Sequence, residues 1–364
     1  MHRESAVIVS RLERVLPRFR KVRIAVLGDL MLDRYLWGNA HRLSPEVPVP
    51  VVDFESQGDC LGGAANVAAN IAALGAKVQL FGVLGGKKTR QKKNADDEAG
   101  TALRACLRDA GMDDSGVLAD FKRITTLKTR IIGGHQQIVR IDHERPGSIA
   151  PETEERLFRR LVASLKNLGA LVLSDYDKGL IGDSFAERVL RVCHQSKVPV
   201  FVKPKKSRLL AYAGARAIVC NKDEVNFYVT RAVDDDKSVE QAGRALLSRF
   251  GSAAVVITRG KNGMSVVDES SSRTLHIPAT NFEVTYARVG QPGASRPSSG
   301  RQVYDVTGAG DTVLSVLSLA VAAGATLPDA ALLANAAAGV VVGKLGTATV
   351  SPAELRSALH DIHS

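Results

Sequence analysis

A chain of 364 residues with 45% apolar side chains can bury a substantial core, as one large α/β domain or two smaller ones. No apolar run reaches membrane-spanning length, and the N-terminus, charged from His2 to Arg23, lacks the apolar stretch of a signal peptide, so a cytoplasmic protein is expected. The formal charge of +11 favours anionic partners, but much of it is local, in Lys87, Lys88, Arg90, Lys92 and Lys93 and in an arginine-rich N-terminus; without interleaved aromatics or a nucleic-acid module, nucleic-acid binding is not expected.

Along the chain, apolar runs of strand length alternate with amphipathic helical stretches, the pattern of a parallel sheet covered on both faces. Strands are predicted at 22–27, 78–83, 170–173, 198–202, 217–220 and 254–258. Two stretches break the alternation: 36–57, with its prolines and short β-like pieces, and 125–143, which reads as a hairpin around Gly133-Gly134. The polar stretches 86–95 and 286–301 read as surface-loop insertions. No internal repeat is found, and a single domain over 1–364 is expected. Cys60, Cys106, Cys193 and Cys220 lack metal-ligand spacing and read as reduced structural thiols.

Candidate functional residues cluster where predicted strands end, the edge at which parallel sheets present ligand groups. Asp29 and Asp33 follow the first strand; Gly62, Gly63 and Asn66 open a helix and let a ligand lie against backbone. Arg140, on the 125–143 hairpin, and Lys178, after the strand ending near Ser174, can grip a phosphate, with Lys128 and Arg130 as substitutes. Asn221-Lys222-Asp223-Glu224 follows another strand, and Thr258-Arg259-Gly260-Lys261-Asn262-Gly263 the next. Each also has a plain structural reading: turn and capping residues for the two aspartates, a solvated face for Arg140, a helix N-cap for Asn221 and helix packing for Asn335, Ala338 and Gly339.

The most informative segment is Asp305-Val306-Thr307-Gly308-Ala309-Gly310-Asp311. Thr312, Val313, Val316, Leu317, Ala320 and Ala323 then recur at helical spacing up to Gly324, so Gly308 to Gly310 should form a helix mouth. Backbone N–H groups there can approach an anion, the helix dipole adds partial positive charge, and Asp311 stands beside the anion as a potential proton acceptor. An acidic residue in a first turn also complements the dipole with no further role.

This segment resembles the C-terminal signature of the ribokinase/PfkB family of sugar kinases. The likeness extends to Val26-Leu27-Gly28-Asp29-Leu30-Met31-Leu32-Asp33, Gly62-Gly63-Ala64-Ala65-Asn66, Gln136 to Asp142, Ser174-Asp175-Tyr176-Asp177-Lys178-Gly179 and Asn335 to Thr347. The pattern is most similar to the branch that phosphorylates D-glycero-β-D-manno-heptose 7-phosphate to the 1,7-bisphosphate on the way to ADP-heptose and the lipopolysaccharide core. The resemblance implies a three-layer α/β/α sandwich with a mainly parallel sheet and a small β lid made by 36–57 and 125–143, a homodimer through that lid, and ATP with Mg²⁺; it also admits a monovalent cation. In some bacteria this kinase is fused to a nucleotidyltransferase, and the kinase half alone is expected here. A fructokinase-like acceptor, or a non-catalytic family member that binds nucleic acid or a partner, is the alternative.

Carried over by position, the resemblance implies Asp311 as catalytic base with Gly308, Ala309 and Gly310 as anion hole, and Asp33, Gly63 and Asn66 on the sugar. Arg140 and Lys178 would hold the 7-phosphate. Asn221 and Glu224 would organise Mg²⁺ through water. The nucleotide would lie against Thr258, Arg259, Gly260, Gly263, Asp305, Thr307, Asn335, Ala338 and Gly339. One departure stands out: Lys203, in Val202-Lys203-Pro204-Lys205, occupies a place where the pattern expects Asp.

Overall fold

The computed structural model describes residues 2–87, 95–134, 136–205, 210–230, 232–280, 306–344 and 346–361. In chain order the elements are α1 (His2–Glu13), β1 (Arg23–Gly28), β2 (Leu30–Leu43), β3 (Pro50–Gly63), α2 (Ala64–Ala73), β4 (Lys77–Lys87), β5 (Ala95–Asp96), α3 (Glu98–Asp109), β6 (Asp113–Asp120), β7 (Thr126–Gly133) and β8 (Gln136–His143). There follow α4 (Pro151–Ser164), β9 (Ala170–Ser174), α5 (Asp183–Gln195), β10 (Val200–Lys203), β11 (Ala217–Asn221), α6 (Lys222–Val229), α7 (Asp236–Phe250), β12 (Ala254–Thr258), β13 (Met264–Asp268), β14 (Leu275–Ile277), α8 (Ala309–Ala322), α9 (Leu327–Val341) and α10 (Pro352–Asp361).

The larger sheet runs β14-β13-β12-β11-β10-β9-β1-β4-β5, with β6 also on β4. Its centre is parallel, while β13, β14 and β5 join antiparallel. Because side chains alternate across a strand, one face takes Ile24, Val26, Val172, Phe201 and Val256 and the other Leu27, Leu171, Val202, Val255 and Ile257. The first set packs under α1, α2, α3, α8, α9 and α10; the second under α4, α5, α6 and α7. The result is the expected α/β/α sandwich. α8 is buried all round from Asp311 to Ala320, so its axis is fixed by packing on every side.

The predicted strands fall within a residue or two of β1, β4, β9, β10, β11 and β12, except that β4 continues to Lys87. That extension pairs with β5, Gly86 against Asp96 and Lys87 against Ala95, so the 86–95 stretch is carried on a hairpin whose residues 88–94 lie outside those described. The 286–301 stretch lies outside them too. The second sheet, β3-β2-β7-β8, is the lid. It is longer than the 36–57 reading: β2 starts at Leu30, one residue past β1, and β3 runs to Gly63 at the first turn of α2. Asp33 therefore sits on the lid rather than at the end of a central strand.

Candidate active site

The C-terminal ends of three central strands are in register, Gly28 beside Ser174 beside Lys203, and α8 begins above them. Gly308 is its N-cap with φ +82°, a left-handed conformation that favours glycine; a Cβ there would also approach Asn66 Nδ2 to 2.9 Å. In the first turn the Ala309 amide bonds Val306 O at 3.3 Å and the Thr312 amide bonds Gly308 O at 2.9 Å, while those of Gly310 and Asp311 have no backbone acceptor among the described residues.

Asp311 is 3% exposed, and its carboxylate is held from three sides. Oδ1 accepts the Tyr176 hydroxyl at 2.5 Å and the Lys203 ammonium at 2.7 Å; Oδ2 accepts Asn66 Nδ2 at 3.0 Å. Lys203 also donates to Tyr176 Oη at 3.2 Å. Burial acts to lower the Lys203 pKa, but Asp311 and Tyr176 outweigh it and hold the ammonium above its ordinary value. Burial, reinforced by the Asp311 charge, raises the Tyr176 phenol, which stays a donor. Tyr176 was legible only as part of a motif; its signal was a hydroxyl-bearing aromatic just past a buried strand. Lys203 was legible as a break in a pattern.

Several expected sugar contacts are engaged elsewhere. Asn66, 1% exposed, spends its amide on Asp311 and its Oδ1 on Asn70, so it positions the acid. Asp29 accepts backbone N–H groups of Tyr176 and Lys178 on Oδ2 and of Leu180 on Oδ1, and thereby shapes the loop that carries Tyr176 and Lys178. Burial nevertheless raises its pKa. Asp29→Ala should cost about 2 kcal/mol, since buried amides lose their acceptor, and lower turnover by displacing Tyr176; denaturant unfolding and initial rates check this, and a variant with wild-type rate and stability would show that the loop holds its shape unaided.

Asp33 Oδ1 pairs with the Arg130 guanidinium at 2.5 Å, both side chains buried, with Arg130 stacked over Tyr35 at 5.2 Å. Gly62, opposite Met31 on β3, leaves the room: a Cβ there would stand 2.4 Å from Asp33 Oδ2. On the same lid face Lys128 and Arg140 both pair with Asp142 at 2.8 Å, and Lys178 with Glu144 at 2.7 Å. The expected phosphate-gripping cations thus form one chain with two acids. Arg140 is at its open end, half exposed.

On the other side of α8 lies a cavity of about 360 Å³, lined by Thr258, Gly260, Gly263, Ala309, Gly310, Asn335, Ala338 and Gly339 together with Met264 and Val342. Asn335 donates to Pro278 O, and the small residues leave a flat, largely apolar slot. Arg259, expected at the nucleotide, points away: its guanidinium binds Asp236 at 2.7 Å and Ser265 at 3.2 Å. Thr307 precedes the helix mouth; Asp305 lies outside the described residues. Asn221 and Glu224 form a reciprocal capping box on α6, in which Asn221 Oδ1 accepts the Glu224 amide and Glu224 Oε2 accepts the Asn221 amide. Glu224 Oε1 faces Lys205 at 3.7 Å. Among the described residues no cluster of three acidic, His or Cys side chains could cage a metal, and no helix is long and apolar enough to cross a membrane.

An α/β sandwich with a largely apolar slot of about 360 Å³, a glycine-lined helix mouth and a buried carboxylate beside a small polar sheet has the form of a phosphotransferase acting on a small hydroxyl compound. Residues 21–354 match the family described as pfkB family carbohydrate kinase, and the chain belongs to that family; it is a sugar kinase. It is 42% identical over 334 residues to the "Bifunctional protein HldE" of Geobacter sulfurreducens, covering 92% of this chain and 62% of that protein, and 42% identical over 346 residues to that of Methylococcus capsulatus, covering 95% and 66%. The chain thus spans about two thirds or less of the relatives' length. Among solved structures, phosphofructokinase-2 from Escherichia coli in complex with potassium superposes with TM-score 0.70 at 17% identity over 94% of this chain and 99% of that one; ribokinase from Arabidopsis thaliana complexed with ribose and ATP gives 0.67 at 17% over 93% and 98%. At that identity the likeness concerns the fold.

Proposed function

We propose that the chain transfers the γ-phosphoryl group of ATP to the anomeric C1 hydroxyl of D-glycero-β-D-manno-heptose 7-phosphate, giving the 1,7-bisphosphate for ADP-heptose and lipopolysaccharide-core synthesis in the cytoplasm. The supporting observation is Asp311, fixed at the mouth of α8 with the cation row Lys128, Arg140 and Lys178 on the lid side and the 360 Å³ slot on the other. ATP lies in the slot with its terminal phosphate on the amides of Gly308 and Gly310 and, in exchange for its 3.3 Å bond to Val306 O, of Ala309. Asp311 Oδ2, which accepts one protein hydrogen bond, takes the hydroxyl proton. The sugar oxygen bonds to the γ-phosphorus, the bond from that phosphorus to the β–γ bridging oxygen breaks, and ADP leaves with the electron pair. Asp33 accepts from a sugar hydroxyl, and the lid cations exchange Asp142 and Glu144 for the substrate's own phosphate.

The donor set fits Mg²⁺ held by nucleotide phosphates and through water, with Glu224 as the available carboxylate and Asn221 fixing its orientation. When bound, the ion offsets charge on the β and γ oxygens. A monovalent cation is part of the same reading, in keeping with the potassium in the phosphofructokinase-2 structure. Exposed Phe54, Val139 and Ile141 on the lid accord with a homodimer through it.

An acceptor screen tests the reading. ADP release with ATP and a panel of sugars and sugar phosphates should favour heptose 7-phosphate over the unphosphorylated sugars fructose and ribose by at least about 100-fold in kcat/KM, since a charge-matched phosphate contact is worth a few kcal/mol, and over fructose 6-phosphate by a smaller margin. Preference for an unphosphorylated sugar would dismiss the phosphate role of Lys128, Arg140 and Lys178.

A further inference from the structure

Period-2 alternation places Lys203, the last residue of β10, on the face of Phe201 beneath α8 rather than that of Val202. Its ammonium lies 3.2 Å from where a Cβ on Gly310 would be built, which sets it against the first turn of α8. A cation at a helix N-terminus is opposed by the helix dipole, and here it is also largely buried, with 17% side-chain exposure. Among the described residues Asp311 is the one acid it contacts and Tyr176 Oη its other bonded partner, and Lys205 lies 5.5 Å from the centre of the Tyr176 ring. Lys205 has its own acid in Glu224 at 3.7 Å, whereas the Lys203 ammonium and the Gly310 and Asp311 amides, which have no backbone acceptor among the described residues, meet beside one carboxylate, so a further anion there would find donors from both strand and helix. An ammonium has three N–H groups; two of them are taken by Asp311 and Tyr176, and among the described residues the third has no acceptor.

We propose that Lys203 is a catalytic residue: its third N–H donates to the transferring phosphoryl group while the first stays on Asp311. The lysine thereby joins base and phosphorus and supplies a covalently fixed positive charge where negative charge builds. This rests on phosphoryl transfer at the α8 mouth, whichever sugar phosphate is the acceptor. It also gives the lysine a reason to stand where an acid is expected: Asp at this position would lie against Asp311 as a like charge.

The test uses the full chain with Lys203→Met. Two readouts are taken: kcat and KM with the preferred acceptor, and the affinities of ADP and of a non-hydrolysable ATP analogue by calorimetry with Mg²⁺ present. Expected are a fall in kcat on the order of 100-fold, acceptor KM within about threefold, and loss of at least about tenfold in the preference for the triphosphate over ADP, the worth of one charge-assisted bond. Lys203→Arg should recover part of kcat, and propylammonium should restart Lys203→Ala, responses that a purely structural lysine would not produce. Turnover within about threefold of wild type, or an unchanged triphosphate preference, overturns the proposal. Should Lys203→Met not fold, Lys203→Gln keeps a donor to Asp311 and removes only the charge, and the same two limits apply. If the wild-type chain accepts none of the sugars offered, the acceptor reading fails alone, because the nucleotide comparison still decides Lys203.

Discussion

Asp311→Asn should lower kcat by about 10³-fold, within the usual range for loss of a general base, while ATP affinity changes by no more than a few fold. An amide keeps the size of the carboxylate and can still accept from Lys203 and Tyr176 through one oxygen, so the α8 mouth should keep its shape. What changes is Oδ2: as an amide nitrogen it would meet the Asn66 amide, donor against donor, and it cannot take a proton. Asp311→Ala should behave differently. It leaves the buried Lys203 ammonium without its acid, a loss that approaches the several kcal/mol typical of a buried charge left unpaired, reduced by the residual exposure of the lysine. Initial-rate measurements with a coupled ADP assay, alongside thermal melts, separate the two. Turnover in the Asn variant comparable to wild type would remove Asp311 from the base role, whatever its burial.

The helix mouth could be read from residues because its determinants are local: glycines at 308 and 310, an acid at 311, and a helical run behind them. The parallel sheet was legible for the same reason, each central strand being a short apolar run between turn residues. Partnerships were not. Asn66 and Asp311 are 245 positions apart and Asp33 and Arg130 are 97 apart, so no window of sequence shows that one buries the other. A carboxylate looks alike in sequence whether it faces a ligand or caps a loop. Asp29 became the second because the chain turns back at 176–180 with amides pointing at it. The lid boundaries slipped for another reason: β2 continues from β1 with only Asp29 between, and the change of sheet leaves no break in hydrophobicity at Leu30 to Leu32. β13 and β14 escaped because they are short, five and three residues, and polar Ser265, Asp268 and His276 interrupt their apolar runs.

The lid pair yields the second large effect. Arg130→Met keeps the length and apolar stem of the side chain, and with them part of the contact over Tyr35, but strips Asp33 of its guanidinium. Burial already pushes the Asp33 pKa above its ordinary value, with Arg130 the main influence pulling it down; without Arg130 it must rise further. A carboxyl whose folded pKa is raised contributes stability that is present below the unfolded value, near 3.8, and lost as pH climbs through the folded value. The stability deficit of the variant relative to wild type should therefore be small near pH 4 and grow towards pH 8, to about 3 kcal/mol for an uncompensated buried acid. Acceptor binding should suffer in parallel, because Asp33 without its guanidinium loses both its fixed orientation and part of its charge, and with them its strength as an acceptor for a sugar hydroxyl: kcat/KM should fall by roughly 100-fold at neutral pH, mostly through KM, with ATP affinity untouched. Unfolding curves at about pH 5 and pH 8 and acceptor titrations would measure both. An equal stability deficit at the two pH values would mean that Arg130 acts through packing on Tyr35 and not through the charge of Asp33.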